Sequence, residues 1–284
     1  MGRSTLRLSD RTVIMSGGSR GIGLAIAKRA AADGANITLI AKTDAPHPKL
    51  PGTIHTAAAE LEAAGGRVLK FVGDVRNDAD IESAVAQTIQ RFGGIDVVVN
   101  NASAIDVSGT DAISMKKYDL MNDINSRGSF LLAKTCLPAL RDSARADRNP
   151  HVLTLSPPLN LNPRWAGQML AYTIAKYGMS LTTLGLAEEL KSDGIAVNSL
   201  WPHTTIATAA VRNVLGGDDM VSSSRTPDIM ADAAYRILTS PAATTSGNFF
   251  LDDEVLAADG VTDFDRYRVV AGQTALEIDL FVDG

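Results

Sequence analysis

The sequence predicts an α/β protein, a doubly wound Rossmann-type parallel sheet of about seven strands flanked by helices. Three observations carry that expectation. Short β-branched runs alternate with longer segments whose apolar residues recur every three or four positions. Most of the short runs are apolar at nearly every position, as strands covered on both faces must be. A glycine-rich turn, SGGSRGIG, joins the first run to the first long segment.

Taken in order, the strands are expected at Thr12 to Ser16, Asn36 to Ala41, Arg67 to Gly73, Ile95 to Asn100, His151 to Ser156, Ile195 to Leu200 and Asn248 to Asp252. Between them GLAIAKRAAADG, DIESAVAQTIQRFG and AKYGMSLTTLGLAEELKSDG carry the helical period, each closed by a glycine suited to a helix C-terminus. Three stretches break the rhythm. Lys42 to Thr53 holds three prolines and reads as a loop enlarging the second strand-to-helix connection, beside the expected ligand crevice. Pro157 to Met169 separates the fifth strand from the next helix, and the stretch around LGGDDMVSSSRTP reads as a candidate lid; both would border a substrate. Val255 to Gly284 reads as a terminal extension packed on the same body, so that 1–284 forms one domain.

Bulk properties narrow the function. Over 284 residues, 45% hydrophobic and 21% charged side chains describe a globular chain, neither a disordered tail nor a fibre. The net charge is −5 and the Lys and Arg residues are scattered, which argues against a nucleic-acid partner. The single cysteine, Cys136, lies in an apolar helical stretch; it reads as a buried structural thiol and suits a reducing compartment. MGRSTLRLSD lacks the apolar core of a signal sequence, and no clean run is long enough to span a bilayer, so a cytoplasmic location is expected. His47, His55, His151 and His203 lack metal-ligand spacing, and no metal is expected.

The turn after the first strand is the first candidate site. A dinucleotide's pyrophosphate needs a close-approaching backbone and the positive end of a helix. Gly17, Ser19, Arg20, Gly21, Ile22 and Gly23 are placed to supply them, although glycines there also serve ordinary helix–strand packing. At the end of the second strand an acidic residue would bind a free ribose 2′-hydroxyl, but here stands Lys42. With Arg20 it favours a 2′-phosphate, and therefore NADP(H) over NAD(H), unless both are solvated surface cations; Asp44 nearby weighs the other way. Asp74, followed by Val75, ends the third strand, where it would either accept from an adenine amino group or cap a helix.

Tyr172 and Lys176 stand four apart on a predicted helix, so their side chains share a face. A phenol titrates near about 10, too high for efficient acid–base work at neutral pH, and an adjacent ammonium lowers it. A Tyr-x-x-x-Lys pair alone is also a common surface feature; context decides.

That context is the ordered set SGGSRGIG, Asp74, NNAS at Asn100 to Ser103, and YTIAK, which together resemble the short-chain dehydrogenase/reductase family over most of the chain. Within it, SPPLNLNP and WPHTTIATAA are similar to a hydroxysteroid dehydrogenase-like branch, some members of which add a sterol-carrier-type domain that this chain is expected not to include. The resemblance implies an NADP(H)-dependent oxidoreductase acting on a carbonyl or secondary alcohol, with Tyr172 as acid–base residue, Lys176 as its activator and ribose ligand, and Asn125 holding a relay water. It implies Asn100, Ala102, Pro202, Ile206 and Thr208 along the cofactor, the last two displaced by one residue, a structural role for Asn101, and a homodimer or homotetramer through the helices around Leu131 and Leu186.

Two departures stand out. If the strand register is kept, the family's carbonyl-polarising serine falls on Pro157, which has neither hydroxyl nor amide proton. Ser156 substitutes only if the Pro157-Pro158 turn re-aims it; otherwise it is a strand-end serine bonded locally. His203 stands where the family has glycine and reads as a space-filling loop residue. These departures keep a second reading open, a cofactor-binding module for a lipid or protein partner with little catalysis. Trp165, Met169, Leu170 and Met179 would line an apolar pocket for a lipid-like or alicyclic substrate, or else belong to the core.

Overall fold

In the computed structural model, which describes residues 6–46, 51–272 and 275–283, seven strands form one parallel sheet. They are β1 (Thr12–Ser16), β2 (Asn36–Ala41), β3 (Arg67–Val72), β4 (Val97–Asn100), β5 (His151–Thr154), β6 (Ala196–Trp201) and β7 (Phe249–Leu251), in the spatial order 3-2-1-4-5-6-7. The winding direction reverses between β1 and β4, which opens a crevice at the carboxyl ends of those strands. Ser16 pairs with Asn100 and Asn100 with Thr154, so β1, β4 and β5 end level beneath it.

Nine α-helical segments among the described residues surround the sheet: α1 (Gly21–Ala31), α2 (Ile54–Ala63), α3 (Asp78–Phe92), α4 (Met115–Met121), α5 (Gly128–Arg145), α6 (Pro163–Glu189), α7 (Gly217–Ser222), α8 (Asp228–Leu238) and α9 (Asp252–Ala258). Alternation along the strands divides the core. Val13 and Met15 of β1 enter a layer with Ile37, Leu39, α1, α2 and α8. Ile14 enters the opposite layer with Ile40, Val98, α3 and α5, where Cys136 is also buried and its thiol pushed upward by desolvation. Gly93 ends α3 at φ +87°, the left-handed geometry that a side chain would strain. Among the described residues no helix is long and apolar enough to cross a membrane.

Two connections differ from expectation in ways that shape the crevice. The stretch Pro157 to Met169 is a loop only as far as Asn162, whose side chain accepts from the Arg164 amide while Pro163 opens α6. Helical geometry breaks once, at Met169 (φ −151°, ψ 55°), and then resumes through Tyr172 and Lys176. Burial of Trp165 and Met169 explains why a turn-rich sequence folds as helix here. The candidate lid is also largely helical, a wide turn at Val211–Leu215 followed by α7. Of the expected loop Lys42 to Thr53, residues 47–50 lie outside the described residues.

The segment beyond α9 runs back over the carboxyl edge of the sheet. Ile278 forms an antiparallel bridge with Thr204, and the Asp279 amide donates to the His203 carbonyl at 3.0 Å. Residues 277–283 thus form a strap across the mouth of the crevice. Phe281 at its centre is fully buried among the rings of Trp165, Tyr172, Tyr177 and Trp201, at centroid distances of 5.4 to 6.1 Å.

Candidate active site

The glycine turn places three of its glycines in two different circumstances. A Cβ at Gly23 would lie 2.4 Å from Asn101 Nδ2, and one at Gly17 would lie 2.8 Å from Ala102 Cα. Those two positions are therefore glycine because the end of β4 presses on the turn. Only Gly21, at φ +55° and with nothing nearer its missing Cβ than Thr208 Cγ2 at 3.5 Å, leaves open backbone. Asn101 ties the turn down by donating to the carbonyls of Ser16 and Gly17. No side chain caps the start of α1 and its first turn has no acid, so the helix's positive end faces the crevice uncompensated. Arg20 donates to the Gly52 carbonyl at 3.2 Å while its buried Nε has no partner. An uncapped helix start beside a guanidinium with one unpaired N–H fits the phosphates of a dinucleotide.

At the end of β2 the Lys42 ammonium donates to Asp74 at 3.4 Å. Arg76 holds the same carboxylate through its Nε and Nη2, the shortest contact being 2.6 Å. Arg76's hydrogen bonds hold Asp74 down to about 2, against the opposing effect of burial. Arg76 was not anticipated from the sequence; its only signal was its place two residues after Asp74. Helix capping, one of the two roles open for Asp74, belongs instead to Asn77, which accepts from the amides of Ala79 and Asp80. Val75 is buried in the core against Gly128.

Tyr172 and Lys176 line one cavity of about 160 Å³ together with Ile22, Ile105, Trp201, Leu215, Leu280 and Asp279. Pro202, Ile206, Thr208, Asn101 and Ser103 line it too, so the loop after β6 reaches the site. Asn100 does not: it is buried beneath, donating to Thr154 at 3.4 Å. Lys176 donates to the Leu155 carbonyl at 2.7 Å and lies 4.8 Å over the Trp201 ring. Burial pulls its ammonium down to about 7 against the opposing charge of Asp279. Burial, and secondarily Asp279, push the Tyr172 phenol well above its usual value. Burial thus outweighs the lowering expected from the neighbouring ammonium and favours the neutral phenol.

The structure does not bring Ser156 to this cavity. β5 ends at Thr154, and the Ser156 amide donates back to the Thr154 carbonyl at 2.9 Å, a tight turn that aims the side chain inward. Its fully buried hydroxyl lies 2.8 Å from Ser199 Oγ, which in turn donates to Thr183. The catalytic role expected as one option for Ser156 is corrected accordingly; it is a locally bonded interior serine. The Pro157 carbonyl is meanwhile held by Ser180.

Asn125 lies on a wide helical turn, Asn122–Arg127, between α4 and α5. Its side chain clamps Ala104, accepting from the amide at 2.7 Å and donating to the carbonyl at 2.9 Å. That amide fixes the segment after β4, and does not itself reach Tyr172. Trp165 and Met169 belong to the aromatic cluster behind Tyr172, Met179 is buried, and Leu170 faces outward.

A family model described as short chain dehydrogenase matches residues 11–216. Hydroxysteroid dehydrogenase-like protein 2 of Danio rerio is 53% identical over 99% of this chain, and the human protein of that name is 51% identical over the same share. The chain spans 66% and 65% of those relatives' lengths, respectively. Among solved structures, a putative dehydrogenase from Xanthomonas campestris superposes with a TM-score of 0.94 at 53% identity, covering 98% of this chain and 100% of that one.

Proposed function

We propose, since this chain belongs to the short chain dehydrogenase family, that it moves a hydride between NADP(H) and the carbonyl or secondary alcohol of an apolar, lipid-like or alicyclic substrate. The observation that carries this reading is the enclosure of Tyr172 and Lys176 in one apolar cavity beside an uncapped helix start. A bound nicotinamide cofactor would supply the hydride. The turn Gly17, Ser19, Arg20, Gly21, Ile22 and Gly23 would hold its phosphates, Lys42 its 2′-phosphate, and Asp74 and Val75 would border the adenine. Ala102, Pro202, Ile206 and Thr208 would flank the nicotinamide end, and Asn100 would support it from below.

In carbonyl reduction Tyr172 gives its proton to the substrate oxygen, and Lys176 steadies the phenolate left behind. Asn125 holds Ala104 in place between Ser103 and Ile105, which line the cavity. A second apolar cavity of about 290 Å³, lined by Val107, Met169, Met220 and Ile278, shares Leu215 and Leu280 with the first. The adjoining space suits an elongated substrate. Leu170, Ile174, Leu181 and Leu184 form an exposed stripe on α6 and Phe130 on α5 is exposed too, whereas Leu186 points into its own core; that stripe supports a homodimer or homotetramer. The unpaired, buried Cys136 supports a cytoplasmic setting.

The test is single-turnover oxidation of bound NADPH with a panel of aliphatic and alicyclic ketones. Silence despite tight NADPH binding would leave the module reading, which Pro157 and the inward-facing Ser156 favour. In the same assay Lys42→Ala should weaken NADPH about three- to tenfold and leave NADH nearly unchanged. The modest size reflects a half-exposed ammonium (55%) already shared with Asp74. Equal weakening of both cofactors would remove Lys42 from the phosphate.

A further inference from the structure

β5 supplies no hydroxyl to the cavity, yet a carboxyl arrives from the other end of the chain. Asp279 is 8% exposed and lines the same cavity as Tyr172 and Lys176. The strap fixes it: its amide donates to His203, the next residue's carbonyl accepts from Trp201 Nε1 at 2.8 Å, and Phe281 is seated in the aromatic cluster. Asp279 Oδ1 accepts from the Leu280 amide at 2.6 Å, whereas no donor among the described residues reaches Oδ2.

We infer that Asp279, in its protonated form, is a catalytic residue that donates a hydrogen bond to the substrate oxygen, a role for which β5 supplies no hydroxyl. This rests on the oxidoreductase reading above. During reduction the carbonyl carbon receives the hydride, the C=O π pair moves to oxygen, and that oxygen takes the Tyr172 proton. Asp279 keeps its own proton and stabilises the developing negative charge. A neutral acid in a low-dielectric pocket can serve as such a donor, where its carboxylate would repel the oxyanion.

The surroundings favour the neutral form. Burial and the neighbouring Asp252 push Asp279 up to about 7, against the Leu280 amide and Lys176. Asp252, at the start of α9, is itself raised to about 6 by burial. Tyr172 and Lys176 face Asp279 from α6; behind it, Asp253 is occupied by His203 at 2.9 Å and Arg225 at 2.8 Å. Glu277 on the strap is exposed.

The test measures reduction of cyclohexanone and a long-chain methyl ketone by NADPH from about pH 6 to about pH 9 in wild type, Asp279→Asn and Asp279→Ala. Wild-type kcat should fall above neutrality as the donor ionises. Asp279→Asn keeps an N–H donor, and should stay within about tenfold of wild type with that alkaline fall removed; Asp279→Ala should lose about 10²-fold. An Asn variant as impaired as the Ala variant, or one that keeps the alkaline fall, overturns the role and transfers the titration to Lys176. The infrared carbonyl band of a protonated carboxyl, present in wild type minus Asp279→Asn at about pH 6, is a check independent of turnover, and its absence overturns the proposal. Wild-type silence on both ketones and on the wider panel defeats the oxidoreductase reading itself, whereas an active wild type with indifferent variants defeats only Asp279.

Discussion

Replacing Tyr172 with phenylalanine is expected to lower turnover by about 10²- to 10⁴-fold while NADPH binding stays within about threefold of wild type. The size follows from removing the proton donor altogether. The selectivity follows from the structure, since no partner among the described residues is hydrogen-bonded to the Tyr172 hydroxyl and the ring packs through its faces. Losing that oxygen leaves no protein group unsatisfied, so the fold should be unaffected. Single-turnover kinetics and fluorescence titration of NADPH separate the two effects. Turnover at the wild-type rate would remove Tyr172 from the chemistry.

Phe281→Ala is expected to cost about 3 to 5 kcal/mol, released locally as detachment of the strap. Phe281 is held at φ +69°, a left-handed conformation that costs a bulky residue about 1 to 3 kcal/mol. Full burial contributes about 1.5 to 3 kcal/mol and each ring contact about 0.5 to 1.5 kcal/mol. With four ring neighbours, packing outweighs strain. Alanine keeps most of the strain and loses the packing. Amide exchange at Asp279 to Val282 should accelerate by about 10²- to 10³-fold while β1 and β4 remain protected, and activity should fall with it. Unchanged strap protection would show that the backbone contacts suffice.

The sheet was legible because strands covered on both faces must be apolar throughout; β1, β2, β4, β5 and β6 are fully buried. Helix α6 was legible only from Leu170 onward. Its first turns, PRWAGQ, look like a connection until Trp165 finds the aromatic cluster, a tertiary contact that local propensity does not encode. The site divides in the same way. Tyr172 and Lys176 are visible because one helix face carries both. The direction of Ser156 depends on a turn at β5's end and a serine in β6, 43 positions away. Asp279 and Phe281 stand in a short DLFVD stretch with no periodicity, about a hundred residues from their partners. The glycines of the first turn were visible, but not that Asn101 and Ala102 dictate two of them.

The strap also sets the timetable of maturation. Phe281 reaches Trp165, Tyr172 and Tyr177 about a hundred residues after they are made, and Asp279 emerges about 260 residues after the glycine turn. At roughly 5 to 20 residues per second, a nascent chain would spend about ten to fifty seconds with its glycine turn synthesised and the cavity at Tyr172 and Lys176 still open. Synthesis therefore delivers late the residues that close over Tyr172 and Lys176, so the cavity takes its final form only once residues 277–283 have been made.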